Sequence, residues 1–400
     1  MLSGESVKYS LKNLKKHKAR SFLTIFSILV GIATIFIFVS FGLGLYNYIE
    51  ELSSSSSADK VLIMPKTAGG FTSNAVTMND SDINAIERTP RVYEATGMYY
   101  GAALVKQNKN QKYTFLISYD PKKDMILESF AVDAIEGRVL KPGDTNKALL
   151  GYNYLIPNKI FPKALKLNDN IEVNGENLKI IGFLDEIGNP QDDSQVYITN
   201  EQYESMNPDT NSYGQIFARV DIKDINKVVE DIEKSLRRSR DLEKGKEDFT
   251  VQSFNELIEA YSSALNIVIG FVLLIALISV IVSTVNTANT MITSVLERYK
   301  EIGVLKAVGA RNSEIFSIFL FESAFLGFVA GVLGCLLGWT IASIGGLILK
   351  NLGWSFLQPY ISIYLFAGLI LFAVVTGAIS GALPARRASK TNIVDALRTE

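Results

Sequence analysis

The chain is poor in the residues that carry most protein chemistry. Its 400 residues include one cysteine, Cys335, and one histidine, His17. An intrachain disulfide framework and a Cys/His zinc site are thereby excluded, and a Ser-His-Asp triad would have to use His17. A charge excess is also missing. Forty Lys and Arg stand against 41 Asp and Glu, a net charge of −1, so no global positive field argues for nucleic acid. No G-x-x-x-x-G-K-[ST] phosphate loop occurs, because Gly245-Lys246 lacks the earlier glycine. No repeat with a period of 20–50 residues points to a solenoid. No catalytic, cofactor-binding or metal site can be assembled from what remains, and an enzyme is the least favoured class.

What the chain has is apolar length. Hydrophobic residues make up 48% and charged residues 20%. Four stretches, 21–49, 260–296, 315–349 and 361–383, exceed the roughly 20 helical residues that span a hydrocarbon core. Three contain no charge and the third contains only Glu322. The first is too long for a signal-peptide core and lacks a convincing small-residue cleavage site, so it is expected to be retained. The fold class expected is therefore an α-helical membrane protein with four transmembrane helices.

Orientation follows from the flanking cations, which stay in the cytoplasm. Lys8, Lys12, Lys15, Lys16, Lys18 and Arg20 precede the first span; Arg298, Lys300, Lys306 and Arg311 lie between the second and third; Arg386, Arg387, Lys390 and Arg398 follow the fourth. The loop 350–360 offers only Lys350, and residues 50–263 hold 25 Lys/Arg against 34 Asp/Glu. The tails 1–20 and 384–400 and the loop 297–314 are thus expected in the cytosol, and 50–259 outside, in a plasma or inner membrane.

The outer segment reads as an α+β domain inserted between helices one and two. Strands are expected at 60–64, 113–118, 170–173, 178–183, 195–198, 215–221 and 249–253, and helices at 82–88 and 225–238, the first capped by Asp80 or Ser81. Val173-Asn174-Gly175-Glu176 predicts a hairpin, since Asn-Gly tolerates positive φ. The run 53–57 reads as a serine-rich exit from the first helix.

Three cytosolic or intramembrane features carry the functional signal. The tail places Val7, Leu11 and Leu14 on one stripe, either as an interfacial helix attracted to anionic membrane lipids or as simple topogenic charge. The block 297–311 predicts a short helix with Ile302, Leu305 and Val308 on one face, which could lie on the bilayer or fill a partner's groove; Gly309 is expected to end it. Small residues recur at Gly327, Gly331, Gly334 and Gly338 and at Gly377 and Gly381, a pattern for close helix packing within a subunit or for self-association. Glu322 is costly inside a span, and a structural hydrogen bond is expected of it in preference to an ion path, so that Glu322→Gln should keep function.

These residues resemble a known family: the FtsX-like, MacB-type permease subunits of ABC transporters, which include the LolC/LolE lipoprotein-release proteins. The resemblance rests on Leu11-Lys12-Asn13-Leu14 through Lys18-Ala19-Arg20-Ser21, on Glu297-Arg298-Tyr299-Lys300-Glu301-Ile302-Gly303-Val304-Leu305-Lys306-Ala307-Val308-Gly309-Ala310-Arg311, and on Pro384-Ala385-Arg386-Arg387-Ala388 with Asp395-Ala396-Leu397. Glu136-Gly137-Arg138 and Asn174-Gly175 to Ile180-Ile181-Gly182-Phe183 are similar to the family's extracellular core domain. The resemblance implies a dimer of permease subunits, homodimeric by preference, bound to two copies of a cytosolic ABC ATPase that would hold the ATP and Mg. It assigns ATPase coupling to Glu297, Arg298, Glu301, Ile302, Leu305, Lys306, Val308, Gly309 and Arg311. The work done would be export or extraction of a lipoprotein, peptide or hydrophobic compound; the alternative is a non-transporting relay that activates an extracellular enzyme or sensor partner.

Overall fold

The computed structural model describes residues 18–54, 58–66, 77–123, 125–130, 132–208, 210, 212–392 and 396. The Val7, Leu11, Leu14 stripe, residues 55–57 of the serine run, and Asp395 and Leu397 lie outside them.

Along the chain, helix α1 (Lys18–Ser54) leads to strand β1 (Lys60–Pro65), helix α2 (Asp80–Glu87) and strands β2 (Val92–Met98), β3 (Tyr100–Gln107) and β4 (Asn110–Tyr119). A short helix α3 (Met125–Ser129) precedes β5 (Ala134–Gly137), β6 (Lys147–Leu150), β7 (Asn170–Val173), β8 (Glu176–Leu184) and β9 (Val196–Thr199). Helix α4 (Asn200–Met206), β10 (Gln215–Val220), α5 (Ile225–Ser239) and β11 (Phe249–Ser253) complete the outer domain. Then come α6 (Phe254–Glu297), α7 (Tyr299–Ala307), α8 (Asn312–Leu352) and α9 (Ile363–Ser389). Four of these helices, α1, α6, α8 and α9, are long and apolar enough to cross a membrane.

The chain divides into two compact units. One comprises Tyr46–Ser263 with Leu349–Leu357 and is α+β. Strands β11, β1, β10 and β2 form an antiparallel sheet in that order. Its apolar face, with Val61, Ile63, Ile216 and Ala218, packs with Ile86 of α2 and Val228, Ile232 and Leu236 of α5. α2 starts at Asn79, whose Oδ1 accepts the Ser81 N–H at 3.0 Å while the Asp82 carboxylate accepts the Asn79 N–H at 2.9 Å. The cap is therefore Asn79, not Asp80 or Ser81, because only there does the reciprocal capping box close.

The second sheet of this unit runs β5-β8-β6-β9-β4-β3-β7, and β7 also pairs with β8. Six strands thus make a ring, filled by Val105, Leu116, Leu150, Ile180, Phe183 and Ile198. The β7–β8 turn is the expected hairpin, with Asn174 at φ 49° and Gly175 at φ 94°. Such positive angles are the ones Asn-Gly adopts at least cost.

The other unit comprises Met1–Leu45, Ala264–Ile348 and Gln358–Glu400. Its core is built from Ile28, Ile32 and Phe36 of α1, Ala276 of α6, Ala330 and Cys335 of α8 and Leu369 and Ala373 of α9. Much of α6 presents apolar side chains outward, Phe271, Leu274, Ile278 and Val282 among them, as suits a helix whose solvent is lipid. α6 is continuous from Phe254 to Glu297, so its helix begins six residues before the expected start of the second apolar stretch at 260. α9 likewise runs through Pro384 to Ser389. A proline normally ends a helix; here Ala385 and Ala388, buried beside Ile302 and Phe319, hold the last turns in place.

Candidate functional site

α7 is a nine-residue helix between α6 and α8. Its ends are chemically defined. Arg298 leaves helical geometry at φ −103°, ψ 16°, which separates α6 from α7. At the other end the Ala310 N–H donates to the Leu305 carbonyl and the Gly309 N–H to the Lys306 carbonyl, both at 3.0 Å. This pair is a Schellman motif, and it requires the left-handed φ of 109° that Gly309 adopts. Arg311 then starts α8, its N–H donating to the Glu314 carboxylate at 2.8 Å.

The faces of α7 differ from the stripe that the sequence suggests. Ile302 is 2% exposed and lies among Met291, Val295, Ile315, Phe319, Ala385 and Ala388, with Leu305 partly buried against them. Val308 is 85% exposed and Val304 52%. Ile302 and Leu305 therefore serve the chain's own core, and the apolar pair available to a partner is Val304 with Val308. The reason is local: Val308 is the C-cap and falls off the inward stripe that runs from Arg298 through Ile302 to Leu305.

The charged residues divide in the same way. Glu297, Lys300, Glu301 and Arg311 are exposed. Lys306 turns back to the C-terminal segment, its Nζ donating to the Thr391 carbonyl at 2.7 Å. Arg298 is buried, with Nη1 3.0 Å from Glu322 Oε2 and Nε 3.3 Å from Glu301 Oε2. Its guanidinium carbon lies 5.0 Å from the centre of the Phe319 ring. Arg298 thus faces the fold, where a reading of charge alone places it on the partner. Glu322 makes a structural hydrogen bond, as expected of it, but the donor is an arginine, so the bond is charge-assisted.

The glycine row of α8 serves two neighbours. Gly327 and Gly331 lie against Ala373 of α9, whereas Gly334 meets Leu29 and Ile32 and Gly338 meets Ala33 and Phe36 of α1. From α9, Gly377 and Gly381 approach Ser323. The two backbones come close at Gly327 and Gly377, where a Cβ on Gly377 would lie 2.6 Å from the Ser323 carbonyl oxygen and 3.1 Å from the Gly327 Cα. Every one of these glycines meets residues of its own chain.

In the outer unit the loop after β8 holds a buried carboxyl, Asp193. Burial, with the nearby carboxylates of Glu186 and Asp192, pushes the Asp193 carboxyl up to about 6, although it accepts the N–H groups of Ile187 at 2.7 Å and Gly188 at 3.0 Å. By contrast Arg138, Lys147 and the Lys141 N–H hold Asp144 well below the usual carboxylate range despite its burial. Both are satisfied structural carboxylates. Among the described residues no group of three or more His, Cys, Asp or Glu is placed to hold a metal.

Comparison with known proteins agrees with this architecture. The MacB-like periplasmic core domain family matches residues 21–235, and the FtsX-like permease C-terminal family matches 263–393. An uncharacterized ABC transporter permease of Methanocaldococcus jannaschii is 31% identical over 396 residues, spanning 98% of each chain. The macrolide export ATP-binding/permease protein MacB of Marinobacter nauticus is 27% identical over 414 residues, which are 99% of this chain and 61% of that one. The solved periplasmic region of MacB from Actinobacillus actinomycetemcomitans aligns over 54% of this chain and 97% of that one, with 16% identity and a TM-score of 0.42. With a MacB-like core domain followed by an FtsX-like permease region, and a relative alike over almost its whole length, the chain belongs to the ABC transporter permeases.

Proposed function

We propose that this permease couples ATP hydrolysis on a separate cytosolic ABC ATPase, present in two copies, to movement of its extracytoplasmic domain. The reading rests on the outward face of α7. Val304 and Val308 are an apolar pair one turn apart, flanked by Lys300, Glu301 and Arg311. An apolar helical face of this kind fits a groove on a partner, which would bury it at about 25 cal/mol per Å² removed from water. The charged flank would set orientation. A second copy of the permease completes the assembly, and ATP with Mg belongs to the ATPase. The work is export or extraction of a lipoprotein, peptide or hydrophobic compound from the outer leaflet or the space beyond it. Cations flanking the spans support cytosolic termini and a cytosolic α7.

Tagged full-length permease purified from its native membranes tests the reading. An ABC ATPase, identified by its phosphate-loop peptides and by ATP hydrolysis in the purified sample, should copurify with the wild-type chain. The doubly substituted Val304→Asp, Val308→Asp chain should lose it at least tenfold with unchanged membrane yield, because burying carboxylates in a groove without partners is costly. Equal ATPase recovery with both chains would remove α7 from docking.

A further inference from the structure

We propose that the buried Arg298–Glu322 ion pair is the joint through which movement of α7 is passed to α8. The inference rests on the reading of α7 as the docking element, and it adds the path that the movement takes. Arg298 occupies the break between α6 and α7, so its backbone moves with the short helix. Its side chain leaves that break for another helix. Nη1 reaches Glu322, and the guanidinium lies over the ring of Phe319, almost one turn earlier on α8. Nε meanwhile reaches Glu301 on the exposed face of α7. One planar cation therefore connects a residue that a partner could touch with two residues of a membrane helix. Its five donors are held in a fixed fork, so the geometry passes on with little slack.

Stability alone is a poor account of this arrangement. The side chains of Arg298 and Glu322 are 5% and 4% exposed, beside the apolar cluster of Val295, Ile302, Ile315 and Phe319. Placing two charges there carries a desolvation cost that well-packed apolar residues would avoid. What the pair supplies is resistance to separation. If α7 shifted without α8, Arg298 would keep Glu301 beside it but the Arg298–Glu322 bond would be broken in a poorly solvating site, a costlier state than moving both helices together. Phe319 and Ile302 belong to the same cluster, so packing keeps the two helices in register while the ion pair makes the attachment directional.

The decisive variant is Arg298→Met with Glu322→Leu, which removes both charges together and leaves neither stranded. The full chain is prepared in nanodiscs, with Cys335→Ala where labels are used. In permease without ATPase, spin labels at Val308 and Phe328 should give one narrow distance distribution in the parent and a distribution at least twice as broad in the double variant. In the unlabelled complex, the double variant should keep ATPase copurification within twofold and thermal stability at or above that of the parent, yet lose at least tenfold of the permease-dependent stimulation of ATP hydrolysis. The exchanged pair, Arg298→Glu with Glu322→Arg, should recover at least half of that stimulation, and Glu322→Gln alone should not. An equally narrow distribution in the double variant, or full stimulation without the pair, overturns the joint. Absence of ATPase from the wild-type preparation would count against docking on α7, while the label distances would still decide whether Arg298 and Glu322 hold the two helices together.

Discussion

The N–H of Phe356 donates to the carbonyl oxygen of Gly188 at 3.2 Å. Within the outer unit, the segment after α8 is thereby laid on the loop after β8. The contact is broader than one bond: Lys159 Nζ donates to the Asn351 carbonyl at 2.8 Å, Ser355 bonds Glu186, and the Tyr48 ring lies 5.5 Å from that of Phe356. Gly188 has φ 90°, and a Cβ there would stand 3.0 Å from the Phe356 nitrogen. Gly188→Ala should therefore cost about 1–3 kcal/mol locally. Hydrogen exchange of 186–190 and 351–357 in the full chain should accelerate in both segments. Acceleration in neither would mean that the two segments are not held by each other.

Topology can be read with single cysteines, because Cys335 is the chain's one native cysteine and is buried. On intact cells an impermeant maleimide should label Lys244→Cys, which stands exposed in the turn before β11. Val308→Cys should label only after permeabilisation. Equal labelling of both on intact cells would reverse or scramble the proposed orientation.

Asp193 should leave a signature in the pH dependence of stability. Its folded value, about 6, lies above that of an unfolded aspartate, about 3.9. Between these values the folded state holds more protons, so its contribution is fully present below about pH 4 and is lost as pH rises through 6. Melting of the full chain, compared with Asp193→Asn at each pH, should show the wild type losing ground between pH 4 and 6 and a constant difference above 7. A difference that stays level from pH 4 to 7 would show that this carboxyl is not raised.

The contact between α8 and α9 is tight enough to distinguish glycines by position. Gly377→Ala meets the Ser323 carbonyl and Gly327 Cα, and overpacking of this kind costs about 1–3 kcal/mol. Gly368→Ala, on the same helix with open space around it, should be neutral or slightly stabilising. Equal melting temperatures for the two variants would mean that the helices are further apart than they are here.

Much of this was written locally in the chain. Apolar length alone marks the four spans, and Asn174-Gly175 marks its hairpin because the two required φ angles are intrinsic to those residues. Gly309 is legible for the same reason. Relationships between distant segments were not. β2 and β3 include Glu94, Gly97, Gly101, Ala102 and Ala103, weak strand formers that pairing with β10 and β4 nonetheless holds. The side of α7 that looks outward depends on Phe319, Glu322, Ala385 and Ala388, which only folding brings beneath it. A three-residue spacing could group Ile302 with Val308, but it could not show that the first of them was already in use.

The ring of β8, β6, β9, β4, β3 and β7 has one more consequence, for life outside a cell's chaperone supply. A sheet that joins its own ends offers a neighbouring chain no row of unpaired amides to copy, and unpaired rims are where aggregation by strand addition begins. Among the described residues the rims left are β5, four residues long and bearing Glu136, and the outer strands β2 and β11 of the other sheet. β2 carries Glu94 at its middle, paired with Arg219. The domain can thus loosen without presenting a long bare strand to the copies around it.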